Sequence, residues 1–130
     1  MTTTVFVRNQ RVDVPRGYRA GLVVDLFNDY ASSTVATNIE RVLRCLGYPS
    51  QNLLDFCLLA IAVYVADKKT LRAAQPDGWT RTFIVNMPVR DVTLWRSLES
   101  EVCSTLSFLT GDHWNIDFRE GKNVLRSVTH

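Results

Sequence analysis

The chain has 130 residues, of which 46% are hydrophobic, 22% charged and 10% aromatic, with a formal net charge of +2. That length and balance suit one domain with a true core and exclude a disordered or low-complexity chain. The small positive charge falls well short of the dense basic surface of a dedicated nucleic-acid binder.

In chain order, Val5, Phe6 and Val7, then Val12 and Val14, flank the short polar link Asn9-Gln10 and predict two strands in a hairpin. Pro15-Arg16-Gly17 breaks the pattern, and the apolar, β-branched stretch Gly21 to Phe27 reads as a further strand. Val35, Ile39, Val42, Leu43 and Leu46 then share one face of a helix, started by Ser33 or by a Thr37/Glu40 capping box and stopped at Gly47. Ser50 caps a second helix that runs to about Leu71. Its middle, Phe56 to Ala66, is apolar on every side, the pattern of a helix buried all round or covered by a partner. The longest apolar run, Leu53 to Ala66, contains Asp55 and spans about 14 residues where a bilayer needs roughly 20, so it predicts a core helix.

Pro76-Asp77-Gly78 makes a turn, Trp79 to Met87 alternates as a strand, and Pro88 is expected to end it. Asp91 caps a helix striped by Leu94, Trp95, Leu98, Val102, Leu106 and Leu109, which Gly111 closes. His113 to Phe118 is the last predicted strand, with Trp114, Ile116 and Phe118 on one face. Strand, helix, strand is a βαβ unit, whose two strands should lie parallel and be joined with the usual right hand. The expectation is therefore an α+β fold: a single two-layer domain over residues 1–118, with a small mixed sheet packed against about three helices. Residues 119–130 read as a C-terminal tail or linker.

Catalytic and metal chemistry find little footing. Cys45, Cys57 and Cys103 are odd in number, show no C-x-x-C spacing and sit among apolar neighbours, which predicts inert thiols in a reducing, cytoplasmic compartment. The start of the chain lacks a basic region followed by an apolar stretch, so no secretory leader is expected. No close-paired Cys/His set suits zinc, and Asp112 with Asp117, or Asp25 with Asp29, reads as caps or surface residues before a cation site. The six glycines form no phosphate-binding loop. No catalytic residue, metal or cofactor is expected, although His113 and Asp117 could form an unfamiliar enzyme site.

Two surfaces invite a partner. Arg8, Arg11, Arg16 and Arg19 cluster with Tyr18 and could grip nucleic-acid phosphates and bases, against a background of acids such as Asp13 and Asp25. Trp79, Trp95 and Trp114 all lie in the C-terminal half, and tryptophan is enriched at binding hot spots as well as in cores.

Three segments carry a family resemblance: Leu58 to Lys68, then Trp79-Thr-Arg through Val89, then Trp95 with Phe108-Leu-Thr-Gly-Asp-His-Trp114. Together, over roughly residues 52–118, they resemble the region ahead of the catalytic domain in defence-associated homologues of 7-cyano-7-deazaguanine synthase, from bacterial antiphage systems of the queuosine-like kind. The Trp-Thr-Arg and Leu-Thr-Gly-Asp-x-Trp pieces are its most specific parts. The family's Ser-Gly-Gly-x-Asp-Ser nucleotide loop does not occur, so synthase activity and ATP, zinc or deazapurine binding are not implied. The resemblance implies an accessory domain that docks a protein partner or an adjoining catalytic domain, with Trp79, Arg81, Asp112, His113 and Trp114 as candidate contacts. Each of these could equally hold its own turn. The alternative is a small nucleic-acid-binding module using the four N-terminal arginines.

Overall fold

The computed structural model describes residues 2–8, 21–24, 41–42, 45, 47 and 50–121. Four strands, β1 (Thr2–Val7), β2 (Leu22–Val24), β3 (Thr82–Val89) and β4 (His113–Glu120), form a sheet in the order β2-β1-β3-β4. Among the described residues, three helices with defined bounds accompany them, α1 (Gln51–Lys69), α2 (Val92–Ser97) and α3 (Glu99–Thr110), with a 3₁₀ turn at Arg72–Ala74. This is a small α+β domain whose sheet packs against helices and ends in a βαβ unit, β3-α2/α3-β4.

A mixed sheet is expected from the sequence; among the described residues all three strand pairings are parallel. The difference arises at β1. Thr2–Phe6 pair with β3 on one side, and Val5–Val7 pair with β2 on the other. Both edges of Val5 and Phe6 are therefore occupied by parallel neighbours, which leaves no edge there for the expected hairpin. Val12 and Val14 lie outside the described residues. Continuous runs such as Val5-Phe-Val7 and Leu22-Val-Val24 are what a parallel strand buried on both sides requires.

Register places Val5, Val85 and Ile116 in one row across three strands. With period-two alternation, that row fixes one face of the sheet as the core side. Val7, Val24, Phe83, Met87, Val89, Trp114 and Phe118 join it, and α1 packs Leu54, Leu58, Leu59, Ala62, Val65 and Ala66 onto it. His113, Asn115 and Asp117 alternate out to solvent.

Element ends follow from local chemistry. Ser50 Oγ accepts the Leu53 amide at 3.1 Å and starts α1, as its sequence predicts. Asp55 is fully buried within that apolar helix because its Oδ2 accepts the Arg90 amide at 2.8 Å, just past the end of β3. The helix is not buried all round: Phe56 and Tyr64 are each 58% exposed. Pro88 does not end β3. The pairing with β1 stops at Asn86, and the alternate residues of β3 that face β4 are the odd ones, since the Arg81 and Val89 carbonyls both accept from that side. The donor that proline lacks therefore costs the ladder nothing.

The expected single helix from Asp91 divides at Leu98 into α2 and α3. Asp91 Oδ1 caps the first piece by accepting the Leu94 amide at 3.1 Å. Ser97 Oγ donates to the Leu94 carbonyl at 2.6 Å, a back-bond that bends helices. Gly111 closes α3 in the left-handed conformation, at φ 75°.

The last strand extends past Phe118, where the sequence suggests a tail, and runs to Glu120, after which the Gly121 amide donates to the Val89 carbonyl at 3.0 Å. Arg119 holds this extension, its guanidinium bonding Asn86 Oδ1 and the Val7 carbonyl and lying 4.3 Å from the Phe6 ring. On the outer edge of β4, Arg96 donates to the Phe118 carbonyl at 3.2 Å. Residues 122–130 lie outside the described residues, as does most of the helix expected at 33–46, of which Arg41, Val42 and Cys45 are helical.

Phe83 is the largest fully buried side chain, stacked on Trp114 with ring centroids 4.3 Å apart. Phe83→Ala should lower unfolding stability by about 3–5 kcal/mol in urea titrations. A loss below about 1 kcal/mol would show that the sheet–helix layer closes without it.

Candidate functional site

Two features stand out beyond the core, a closed polar cluster at the amino-terminal ends of β3 and β4 and an open apolar groove on the helical layer. The cluster centres on Asp112, whose side chain is fully buried. Its Oδ1 accepts the Arg81 amide at 2.9 Å and Arg72 Nη1 at 3.0 Å. Its Oδ2 accepts Arg81 Nη2 at 2.8 Å and Arg72 Nη2 at 3.2 Å. Arg81 also reaches the end of α1, donating to the carbonyls of Asp67 (3.0 Å) and Thr70 (2.9 Å) and pairing with Asp67 Oδ1 at 2.6 Å. Arg72 donates to the Thr110 carbonyl at the end of α3 and to the Trp79 carbonyl, both at 2.9 Å.

Two guanidinium groups thus face two carboxylates and the carbonyl ends of two helices, where the helix dipole favours positive charge. Thr110 completes the cluster: its hydroxyl donates to the Leu106 carbonyl and accepts from the Asp112 amide and Trp114 Nε1. Burial alone would push the Asp112 carboxyl up. Hydrogen bonds from the Arg81 side chain and amide, with the charges of Arg81 and Arg72, outweigh that and hold it below the usual carboxylate range. The same bond to Asp112 leads in raising the Arg81 pKa. A carboxylate held low and met by four N–H donors is a poor general base, so the cluster acts as a clasp for the fold.

Of the candidate contacts, Arg81 and Asp112 meet in this clasp, and Trp114 lies buried in the core against Phe83. Trp79 is 62% exposed in the preceding turn, its ring stacked 4.6 Å from the Arg72 guanidinium. That turn is set by Asp77, whose Oδ1 accepts the amides of Trp79 and Thr80, bonds that lower its pKa. His113 is exposed at the start of β4. It shares an exposed strand face with Asp117, but four residues along a strand put their Cα atoms about 13 Å apart, too far for direct proton transfer. Arg8 directly follows β1, its amide donating to the Val24 carbonyl at 3.0 Å. Arg11, Arg16 and Arg19 lie outside the described residues. Burial raises the thiol pKa of Cys57 and Cys103. Among the described residues, no three of His, Cys, Asp and Glu gather as a metal site, and no helix is long and apolar enough to cross a membrane.

The groove lies between α1 and the α2/α3 pair and encloses about 350 Å³. Phe56 and Leu59 of α1 form one wall. Leu98, Glu101, Val102, Thr105, Leu106 and Leu109 form the other, with Trp95 between them. Leu109 is 70% exposed, and its neighbour Phe108 is 88% exposed. Trp95 is buried, yet its Nε1–H has no hydrogen-bond partner. An unmet buried donor is costly.

Sequence reasoning did not single out Phe56, Leu98 or Leu109 as a surface, nor Asp67, Arg72 and Thr110 as clasp members. The available signal for the groove was α1 itself, a helix apolar on every side in a chain too small to cover all of it. For the clasp, a basic residue just beyond a helix end was visible at Arg72, but its partner 40 residues away was not. No family model matches the chain, and neither a curated protein nor a solved structure is significantly similar to it.

Asp112→Asn removes the charge that both arginines share, and breaking a buried pair of this kind should cost about 3–5 kcal/mol. Because the folded-state pKa is depressed, this stabilisation is fully present above the unfolded-state value of about 3.9 and is lost as pH falls through the folded-state value. Denaturant titrations of both proteins should therefore differ most near neutral pH, begin to converge below about pH 4 and meet only below the depressed folded-state value. A constant difference down to pH 2 would show that the carboxylate charge is not what the variant loses.

Proposed function

We propose that this chain is a non-catalytic accessory domain that docks a protein partner or an adjoining catalytic domain in the cytoplasm. The carrying observation is the open apolar groove, with Phe56, Leu98 and Leu109 exposed along it. Burying such side chains on association is the main favourable term for a protein partner. In the clasp, by contrast, the Nη groups of both arginines and the Asp112 carboxylate are engaged internally, and only Arg81 Nε is left without a partner among its buried polar atoms.

The kind of host follows from the resemblance to the region ahead of the catalytic domain in defence-associated 7-cyano-7-deazaguanine synthase-like proteins. Its two most specific pieces, Trp79-Thr80-Arg81 and Leu109 to Trp114, meet in space through the Arg81–Asp112 ion pair. That meeting supports reading them as the signature of a shared scaffold, leaving recognition to the helical face.

Capture of partners by the tagged chain from its native lysate, with identification by mass spectrometry, tests the reading. A stoichiometric protein should be recovered and then lost from Phe56→Asp/Leu109→Asp, a variant whose melting by circular dichroism stays within a few degrees. Equal recovery by both proteins would overturn the groove as the contact. Nuclease-sensitive nucleic acid in place of protein would overturn docking and favour the arginine-based alternative.

A further inference from the structure

We infer that the groove between α1 and α3 receives an amphipathic α-helix with lysine or arginine along the flank facing Glu101. This rests on the docking reading and names the chemistry of the partner. Three observations select a helix with that charge.

The first is shape. The α3 wall offers Leu98, Val102, Leu106 and Leu109, spaced as one face over three turns, which spans about 16 Å. A partner helix of three to four turns, with apolar residues at i, i+3, i+4 and i+7, matches that length and periodicity.

The second is backbone chemistry. Both walls are helices whose backbone groups are mostly engaged within their own turns, and among the described residues the side-chain lining offers only Glu101, Thr105 and the Trp95 Nε1–H for hydrogen bonding. An extended peptide laid here would bury its own N–H and C=O groups without partners. A helix satisfies its backbone internally and brings only side chains.

The third is charge. Among the described residues, Glu101 is the single charged side chain lining the groove, and residues 51–67 and 97–118 contain no lysine or arginine. Acids on the partner's flank would meet Glu101 and be repelled by it. Bases there would be drawn to it, steering the helix into one direction along the groove. Trp95 Nε1, buried and unbonded beside the apolar lining, leaves one donor that a partner's side chain can reach.

Calorimetric titration of the full chain with three designed 16-residue peptides tests the inference. All carry leucine at i, i+3, i+4 and i+7; one has lysine flanks, one glutamate flanks, and one lysine flanks with a central proline. The lysine peptide should bind about three- to fivefold tighter than the glutamate peptide, the size expected of an exposed ion pair. The proline peptide should bind at least about tenfold more weakly, since proline breaks the helix. Glu101→Lys should reverse the order of the two flanks, and Phe56→Asp should abolish binding of both while the chain stays folded. Equal binding of the proline peptide, no dependence on flank charge, or no binding at all would overturn the inference. So would a Phe56-dependent dimer of the chain itself in sedimentation. The two levels separate by cross-linking the native partner. Phe56-dependent capture through a segment that is neither helical nor basic sinks only the helix, whereas capture indifferent to Phe56 sinks docking as well.

Discussion

The buried carboxylate of Asp112 is the constraint on which the arrangement of layers depends. A single anion, met by two guanidinium groups and a backbone amide, joins the ends of α1 and α3 to the beginnings of β3 and β4. Hydrophobic burial draws helices toward a sheet but is non-directional, and it tolerates sliding along the face. Planar guanidinium groups accept few geometries, so the clasp fixes where each helix stops relative to the strand that follows it. The position of α3 against α1 follows from that fixing, and with it the width of the groove.

The clasp and the groove divide the polar and apolar work between opposite ends and faces of one short stretch of chain. Thr110 serves the first and Leu109 the second, although they are neighbours in sequence. Thr110 turns inward to bond the indole of Trp114, while Leu109 turns outward to solvent. Small domains bury a limited fraction of their surface, and α1 and α3 present more apolar side chains than four short strands can cover. Fully burying a side chain of this size is worth about 1.5–3 kcal/mol, so leaving several partly exposed along one groove forgoes a share of that at each.

Much of the fold was legible because its signals are local. Ser50, Asp91 and Gly111 mark helix ends through bonds made within three or four residues, and Trp114, Ile116 and Phe118 alternate as a strand facing a core. What escaped depends on distant chain. Nothing near Val5 announces that both its edges will be taken by Leu22 and Val85, so a hairpin was the natural local reading. Pro88 ends a strand in isolation, but here it falls beyond the last paired residue of β1. The candidate contacts divide along the same line. Arg81 and Asp112 were visible as charged residues at turns, but only the fold shows that they bond each other. Phe56 and Leu98 looked like core because helical periodicity reports an apolar face without reporting what covers it.

The bond from Arg96 to the Phe118 carbonyl has a consequence for how the domain behaves in a crowded solution. β4 ends the sheet among the described strands, and its even-numbered residues direct their backbone groups outward, because the odd-numbered His113 and Gly121 amides are spent on β3. Such a row is a template for an eight-residue strand from another molecule, the first step toward fibrous self-assembly. Arg96 occupies one of its acceptors and sets a charged side chain across the path of an incoming backbone. His113, Asn115 and Asp117 add a polar face that a dry zipper of stacked sheets would have to desolvate. The β4 edge is thereby blunted against indiscriminate pairing.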